Sequence, residues 1–344
     1  MSKVRYAGAA LAAAALIAGI PGVASADGGP GRGGGRGDDA FVLAVTGDIP
    51  YSSALLGDYP SIIDGINADG DVDAAVHLGD IKSGSTLCSD EYFATIKADF
   101  DLFDDPLIYT PGDNEWTDCH RPNNGAYNPL ERLAAIRRVF FPQPNLTLGR
   151  HPMRVESQAR QGFPENVSFE RADVGFAAVH VVGSNNSLAP WTGNTAPTPE
   201  QQAEVDARLA ADLKLIRDTF REARQERQRG VVLMIQADMF DPSVANPVPA
   251  QWTGLLPVVQ TIAAEATRFR GPVLLLNGDS HGFVQDQPLA AGSPWLGFYG
   301  VTAPVPNLTR VTVEGSDQVD EWVKLTVQEK GRQVFTVERV PFAS

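Results

Sequence analysis

AFVLAVTGD (Ala40 to Asp48) is a short, almost wholly apolar run that stops at a glycine and an aspartate. The same shape returns in AAVHLGD (Ala74 to Asp80), PLIYTPGD (Pro106 to Asp113) and PVLLLNGD (Pro272 to Asp279). Apolar runs of this length without polar alternation read as strands buried on both faces, the habit of a parallel sheet. Helical spacing fills the intervals at Pro60 to Ala68, Asp90 to Phe103 and Pro129 to Phe141. Further strands are expected at Gly175 to Val182 and Gly230 to Ile235. Between those two, Thr198-Pro-Glu-Gln201 opens a long helix with a capping box and proline at the first helical position. Arg310 to Glu314 and Glu321 to Val327 alternate and read as antiparallel strands. The fold class is therefore α/β, mainly parallel sheets flanked by helices, with antiparallel strands near the C-terminus.

The ends of the chain bound its setting. Lys3 and Arg5 precede an apolar run from Ala7 to Ile20 and the small residues Val23-Ala-Ser-Ala26, the pattern of a secretory signal cleaved after Ala26. The run is shorter than the ~20 residues of a membrane span. Residues 27–39 are glycine-rich and read as a flexible linker, leaving 40–344 as one domain. The full chain carries −14; removing the two basic residues of the signal leaves −16. So acidic a protein repels polyanions, which excludes nucleic acid as a structural partner yet admits a small phosphorylated substrate at a site with its own cation. A secreted or periplasmic protein is expected, without a membrane span after the signal is removed. Its two cysteines, Cys88 and Cys119, form either a disulfide, as an exported pair usually does, or two buried thiols.

A glycine followed by an aspartate is ordinary turn chemistry when met once. Four such pairs at the ends of buried strands place Asp48, Asp80, Asp113 and Asp279 along one edge of a sheet, where α/β proteins bind ligands. Carboxylates gathered there repel one another unless a cation sits between them. The bottom-up reading is an oxygen-rich divalent metal site with one imidazole, His281. The alternative is that each aspartate caps the helix after its strand.

The order and spacing of these motifs resemble the calcineurin-like metallophosphoesterases, including the purple acid phosphatases. That family carries five blocks, D-x-H, G-D, G-N-H-D/E, a lone His and G-H-x-H. They correspond here to Asp48-Ile-Pro50, Gly79-Asp80, Gly112-Asp-Asn-Glu115, Gln236-Ala-Asp238 and Gly278-Asp-Ser-His281. The resemblance implies that Asp80 bridges two metals, that Asp48 and His281 serve the first, and that Asp113, Asp279 and Asp238 serve the second, with Gln236 as the other candidate in the fourth block. Pro50, with Tyr51 adjacent, stands where the family has a histidine, and Asn114 stands where it has a catalytic histidine. One or two divalent ions are expected, from Mn, Mg, Ca, Fe or Zn, and the gain of carboxylate over imidazole favours Mn, Mg or Ca.

His120, seven residues past Asp113, is the candidate to replace the missing proton donor. Asn114 and His281 complete the candidate catalytic set. Arg121 reads either as a phosphate ligand or as half of a surface ion pair, and Asn185 and Asn186 as substrate-binding residues at a strand end. His77 reads as a buried core or supporting histidine. Asn145, Asn166, Asn185 and Asn307 lie in sequons permissive for glycosylation. The function that the resemblance implies is hydrolysis of a phosphomonoester or diester through metal-activated water. The rival is a catalytically degenerate module that binds metal and recognises a ligand in the same crevice; a calcium-stabilised structural domain is a third reading.

Overall fold

The computed structural model describes residues 40–241, 247–316 and 319–342, so the expected signal segment and glycine-rich linker lie outside the described residues. Strand β1 (Ala40–Thr46) is followed by β2 (Ala74–His77) and β3 (Leu107–Tyr109), which pair in parallel in that order. Then come β4 (Glu156–Gln158), β5 (Phe163–Arg171), β6 (Val174–Ala178), β7 (Gly230–Met234) and β8 (Val273–Asn277). The described chain ends with β9 (Val284–Asp286), β10 (Leu308–Thr312), β11 (Glu321–Gln328) and β12 (Phe335–Pro341). Two sheets result, ordered β12-β11-β1-β2-β3 and β4-β5-β6-β7-β8-β10-β9. In the first sheet β11 and β12 are the antiparallel strands beside the parallel β1-β2-β3; in the second the centre, β6-β7-β8-β10, is parallel and both edges are antiparallel.

Because side chains alternate along a strand, each buried run serves two cores at once. Leu43, Val45 and Val76 of the first sheet meet Phe176, Met234 and Leu276 of the second between the sheets. The opposite faces, with Val42, Ala44 and Leu107, pack on helices Ser53–Asn67, Asp90–Phe100 and Pro129–Phe140. Likewise Val231, Leu233 and Leu275 pack beneath helices Pro199–Glu226 and Leu256–Phe269. The architecture is a helix–sheet–sheet–helix sandwich, in the expected α/β class.

The capping box forms as expected, with Thr198 and Gln201 each accepting from the other's backbone N–H. Three details differ from the sequence reading. Helix Ser53–Asn67 starts well before Pro60, because the Ser52 hydroxyl accepts from Leu55 N–H and nucleates the first turn. The helix Leu256–Phe269 and the antiparallel pair β4–β5 were not expected from the sequence pattern. β10 pairs in parallel with β8 and is antiparallel only to the short β9.

Candidate metal centre

The loops that follow β1, β2, β3 and β8 are fastened to one another by polar groups. Asp48 N–H donates to Gly79 O at 3.0 Å, joining the first two loops. One oxygen of the buried Glu115 collects three donors: Gly112 N–H at 2.6 Å, Tyr109 O–H at 2.8 Å and Asp80 N–H at 3.2 Å. Asp48, Asp80, Asp279 and His281 all have left-handed backbones, with φ of 53°, 56°, 74° and 64°. Such conformations cost energy in non-glycine residues and gather at functional sites.

The glycine of each pair has a steric reason. A Cβ on Gly112 would lie 2.1 Å from Asp80 Oδ1, and one on Gly278 would lie 2.1 Å from Asp48 Oδ2. Only the bare backbone lets neighbouring loops approach the carboxylates this closely.

Asp80, Asp113 and Asp279 each bring an oxygen within 4.8 Å of the others. Burial raises the pKa of Asp80 and Asp279 well above the ordinary carboxylate range, and the neighbouring acids, Asp113 first among them, push further in the same direction. Asp48 is lifted to about 8, chiefly by burial, against hydrogen bonds from Asp279 and Tyr51. Asp113 is held by Ser184 O–H at 2.7 Å and Gln236 Nε2–H at 3.3 Å. Gly183 leaves the gap between two of the acids open, since its Cβ would lie 2.8 Å from Asp113 Oδ2 and 3.0 Å from Asp279 Oδ1. Three crowded carboxylates, all oxygen donors around an open gap, fit one hard divalent cation of the Mg, Mn or Ca type.

The other side of the edge is built differently. Tyr51 Oη donates to Asp80 Oδ2 at 2.8 Å and lies 3.2 Å from Asp48 Oδ1. It accepts from Asn114 Nδ2–H at 2.9 Å, and His281 Nε2 is 3.3 Å away. Asp48 accepts Asp279 N–H on both oxygens, at 3.1 and 3.0 Å. His281 thus lies beside Asp48, at 3.5 Å, and beside Tyr51.

Several expected site residues have other partners. Asp238 is a correction: its Oδ1 takes Arg310 Nη1 at 2.6 Å and Phe240 N–H at 2.9 Å, and its Oδ2 takes Ser280 O–H at 2.7 Å. Within the fourth block it is Gln236 that faces the acids. Asn114 gives its amide to Asp80 and Tyr51, which makes it a positioning residue. Asn185 donates to Thr253 Oγ1 and accepts Gly254 N–H, and Asn186 bonds to Arg208, Val182 and Gly254. Both asparagines therefore fasten a loop, whereas the neighbouring Ser184 reaches the acids.

Arg121 pairs with Asp118 at 2.7 Å, the ion-pair alternative of the sequence reading. His120 Nδ1 accepts Thr192 N–H at 2.9 Å. His77 is buried, its Nε2–H on Ile49 O at 2.8 Å, and burial holds its pKa at about 4. Asn166 is wholly buried and bonded to Gln158 and Asp212, so its sequon is closed to a glycan in the folded chain.

Cys88 and Cys119 form a disulfide with Cα atoms 5.9 Å apart. Lys82, which no sequence pattern singled out, is buried and donates to Asn114 O at 2.6 Å, Ser83 O at 2.9 Å and Asn124 Oδ1 at 3.3 Å. Burial lowers its pKa to about 8. Tyr51 lies next to the first block in sequence, but only the tertiary fold brings its phenol onto Asp80.

No protein-family model and no curated protein sequence matches this chain. Among solved structures it is similar to the GAP50 anchor of the Plasmodium inner membrane complex, at 9% identity and a TM-score of 0.44 over 89% of this chain and 90% of that one. It is also similar to the purple acid phosphatase PPD1 of yellow lupin seeds, at 14% identity and a TM-score of 0.43, covering 88% of this chain and 54% of that one. The NAD nucleotidase of Haemophilus influenzae gives 9% identity and a TM-score of 0.42, covering 88% of this chain and 50% of that one. The chain spans about half the length of the latter two.

Proposed function

We propose that this chain is an exported, metal-dependent phosphoesterase acting on a small phosphorylated substrate at the strand-end edge where Asp80, Asp113 and Asp279 meet. The observation that carries the reading is the packing of three carboxylates from three separate strand ends within 4.8 Å. Among the described residues no lysine or arginine forms a salt bridge with any of them. Acids so placed, with no ion pair of their own among the described residues, are a poor way to stabilise a fold and a good way to hold a cation. A divalent ion held there supplies charge to phosphoryl oxygens and activates bound water.

The remaining work falls to the chain's own groups. Ser184 and Gln236 orient Asp113, and Glu115 fixes the loops that carry Asp80 and Asp113. His120 accepts at Nδ1, so its neutral ring carries the proton on Nε2, and in this reading that is the proton given to the leaving group. Burial, helped by Arg121, holds its pKa below the ordinary value and favours that neutral form. The rival reading, recognition without turnover, is favoured by one feature: Asn114 occupies the catalytic-histidine position and cannot donate to a leaving group while bonded to Asp80 and Tyr51.

The test is turnover of p-nitrophenyl phosphate and bis(p-nitrophenyl) phosphate by metal-stripped protein, with Mn, Mg, Ca or Zn restored in turn. Metal-dependent hydrolysis is expected, falling roughly 100-fold or more in Asp80→Asn, the scale on which removal of one charge-stabilising group acts. Metal-loaded wild type without turnover of either ester would replace the enzyme with the recognition module.

A further inference from the structure

The resemblance to two-metal phosphoesterases implies an ion between Asp48, Asp80 and His281, and the residues there do not fit one. We infer that the Tyr51 hydroxyl takes that ion's place, so that the centre holds a single cation, between Asp80, Asp113 and Asp279. The inference rests on the metal-binding reading above.

Four polar groups surround one oxygen. Tyr51 Oη has Asp80 Oδ2 at 2.8 Å, Asn114 Nδ2 at 2.9 Å, Asp48 Oδ1 at 3.2 Å and His281 Nε2 at 3.3 Å. An ion bound to Asp48, Asp80 and His281 would have to sit ~2.0–2.6 Å from each. The centre of those ligands is the volume the phenol oxygen fills, and the Tyr51 ring stands edge-on to His281 with centroids 5.1 Å apart.

The ligands also have other bonds. The Asp279 N–H lies within reach of both Asp48 oxygens, so this carboxylate already has a donor from the protein. Asn114 turns an N–H₂ group toward the position, where a ligand to a cation would turn a carbonyl. Its orientation follows from the network, because the same nitrogen lies 2.8 Å from the Asp80 carboxylate, which can only accept. The opposite side of Asp80 carries none of these features: Asp113 and Asp279 face each other across the space left by Gly183.

The experiment is a count of Mn²⁺ per chain by calorimetry and elemental analysis, with electron paramagnetic resonance of the same samples. Wild type is expected to take one ion and give the six-line spectrum of an isolated Mn²⁺. Tyr51→Phe removes the hydroxyl but keeps the ring, and should still take one. Tyr51→Ala opens the volume and should take two, with the six-line signal lost to exchange coupling. Asp48→Asn should leave the count at one.

Two ions per wild-type chain would overturn the inference while leaving the metal reading intact. Zero ions would overturn the metal reading and the inference with it. An uptake of one ion by a Tyr51→Ala protein whose circular dichroism matches wild type would show that tyrosine is not what excludes the second. Loss of the ion in Tyr51→Phe would make the phenol a ligand, which also overturns the inference.

Discussion

Two of the buried polar clusters among the described residues are built on opposite principles. Under helix Pro199–Glu226, the carboxylates Glu165 and Asp212 are matched by cations: Arg137 reaches Glu165 at 2.5 Å, and Arg208 approaches Asp212 at 3.8 Å. His180, Asn166 and Asn186 fill the remaining positions. At the strand-end edge Asp48, Asp80, Asp113 and Asp279 crowd together, and the nearby Lys82 is spent on carbonyls. The first cluster has its cations within the chain, although Asp212 Oδ2 and His180 Nε2 are buried without a hydrogen-bond partner. The second has no ion pair of its own among the described residues, with buried Lys82 only a nearby cation, so further positive charge has to come from outside.

The largest expected effect comes from breaking the first cluster. Arg208 is fully buried and also bonds to His180 O and to Asn186. Arg208→Met removes the guanidinium that pairs with Glu204 and leaves the buried acceptors His180 O and Asn186 without their donor, and should cost about 3–5 kcal/mol in urea unfolding. A loss below ~1 kcal/mol would mean that the clusters do not differ in this way.

Acid should find the same cluster. Burial pushes Glu165 up, but His180 and Arg137 outweigh it and hold its pKa at about 2. Buried His77, at about 4, sits outside both clusters. Each pKa is depressed in the folded state, so each contribution is present above the unfolded value and lost as pH falls through the folded one. Taken alone, these two contributions fade between about pH 6.5 and 4 for His77 and between about 4.5 and 2 for Glu165, while Asp48, whose pKa is raised to about 8, contributes with the opposite sign as pH falls. Each step is worth about 3 kcal/mol. His77→Phe should remove only the first step, read as the unfolding midpoint against pH.

The second cluster predicts a change of the opposite sign. Asp279→Asn can keep its bond to Asp238 N–H while removing one repelling charge. The metal-free variant should therefore be more stable than metal-free wild type, by about 1–2 kcal/mol. The stabilisation that Mn²⁺ gives wild type should disappear. Destabilisation of the metal-free variant would show that the cluster is not strained by its own charge.

The smallest effect is reserved for Arg121. It is half-exposed, and its buried partner Asp118 keeps the Ser184 hydroxyl and has its pKa raised to about 7 by burial, so Arg121→Gln should cost about 1 kcal/mol. If it grips phosphate, KM for the ester rises while kcat holds; an unchanged KM removes it from the substrate site.

The sandwich was legible because its strands are uniform. Ala40–Thr46 or Val273–Asn277 carries no polar alternation, and only burial on both faces accommodates that. The aspartates were legible because strand ends in such sheets converge. What escaped were partners set by tertiary contact. Asp238 and Arg310 stand 72 residues apart, and no local pattern announces that one neutralises the other. Tyr51 could not be placed without knowing that the β1 loop turns its phenol back onto Asp80. The pair β4–β5 escaped because β5 alternates only weakly between buried and exposed positions.

The bare backbone at Gly112 and Gly278 divides the centre into parts that tolerate change unequally. A carboxylate exchanged for an amide or an imidazole alters which ion is held yet leaves the loops where they are. A side chain added at either glycine collides with the carboxylate itself, whatever that carboxylate binds. In a library of single substitutions selected only for folding, the aspartate positions should therefore accept several residues while the two glycines accept none. Diversification of this scaffold would then proceed by rewriting the ligands within a fixed frame, so that the glycines, which bind nothing, are the more durable mark of the site's ancestry.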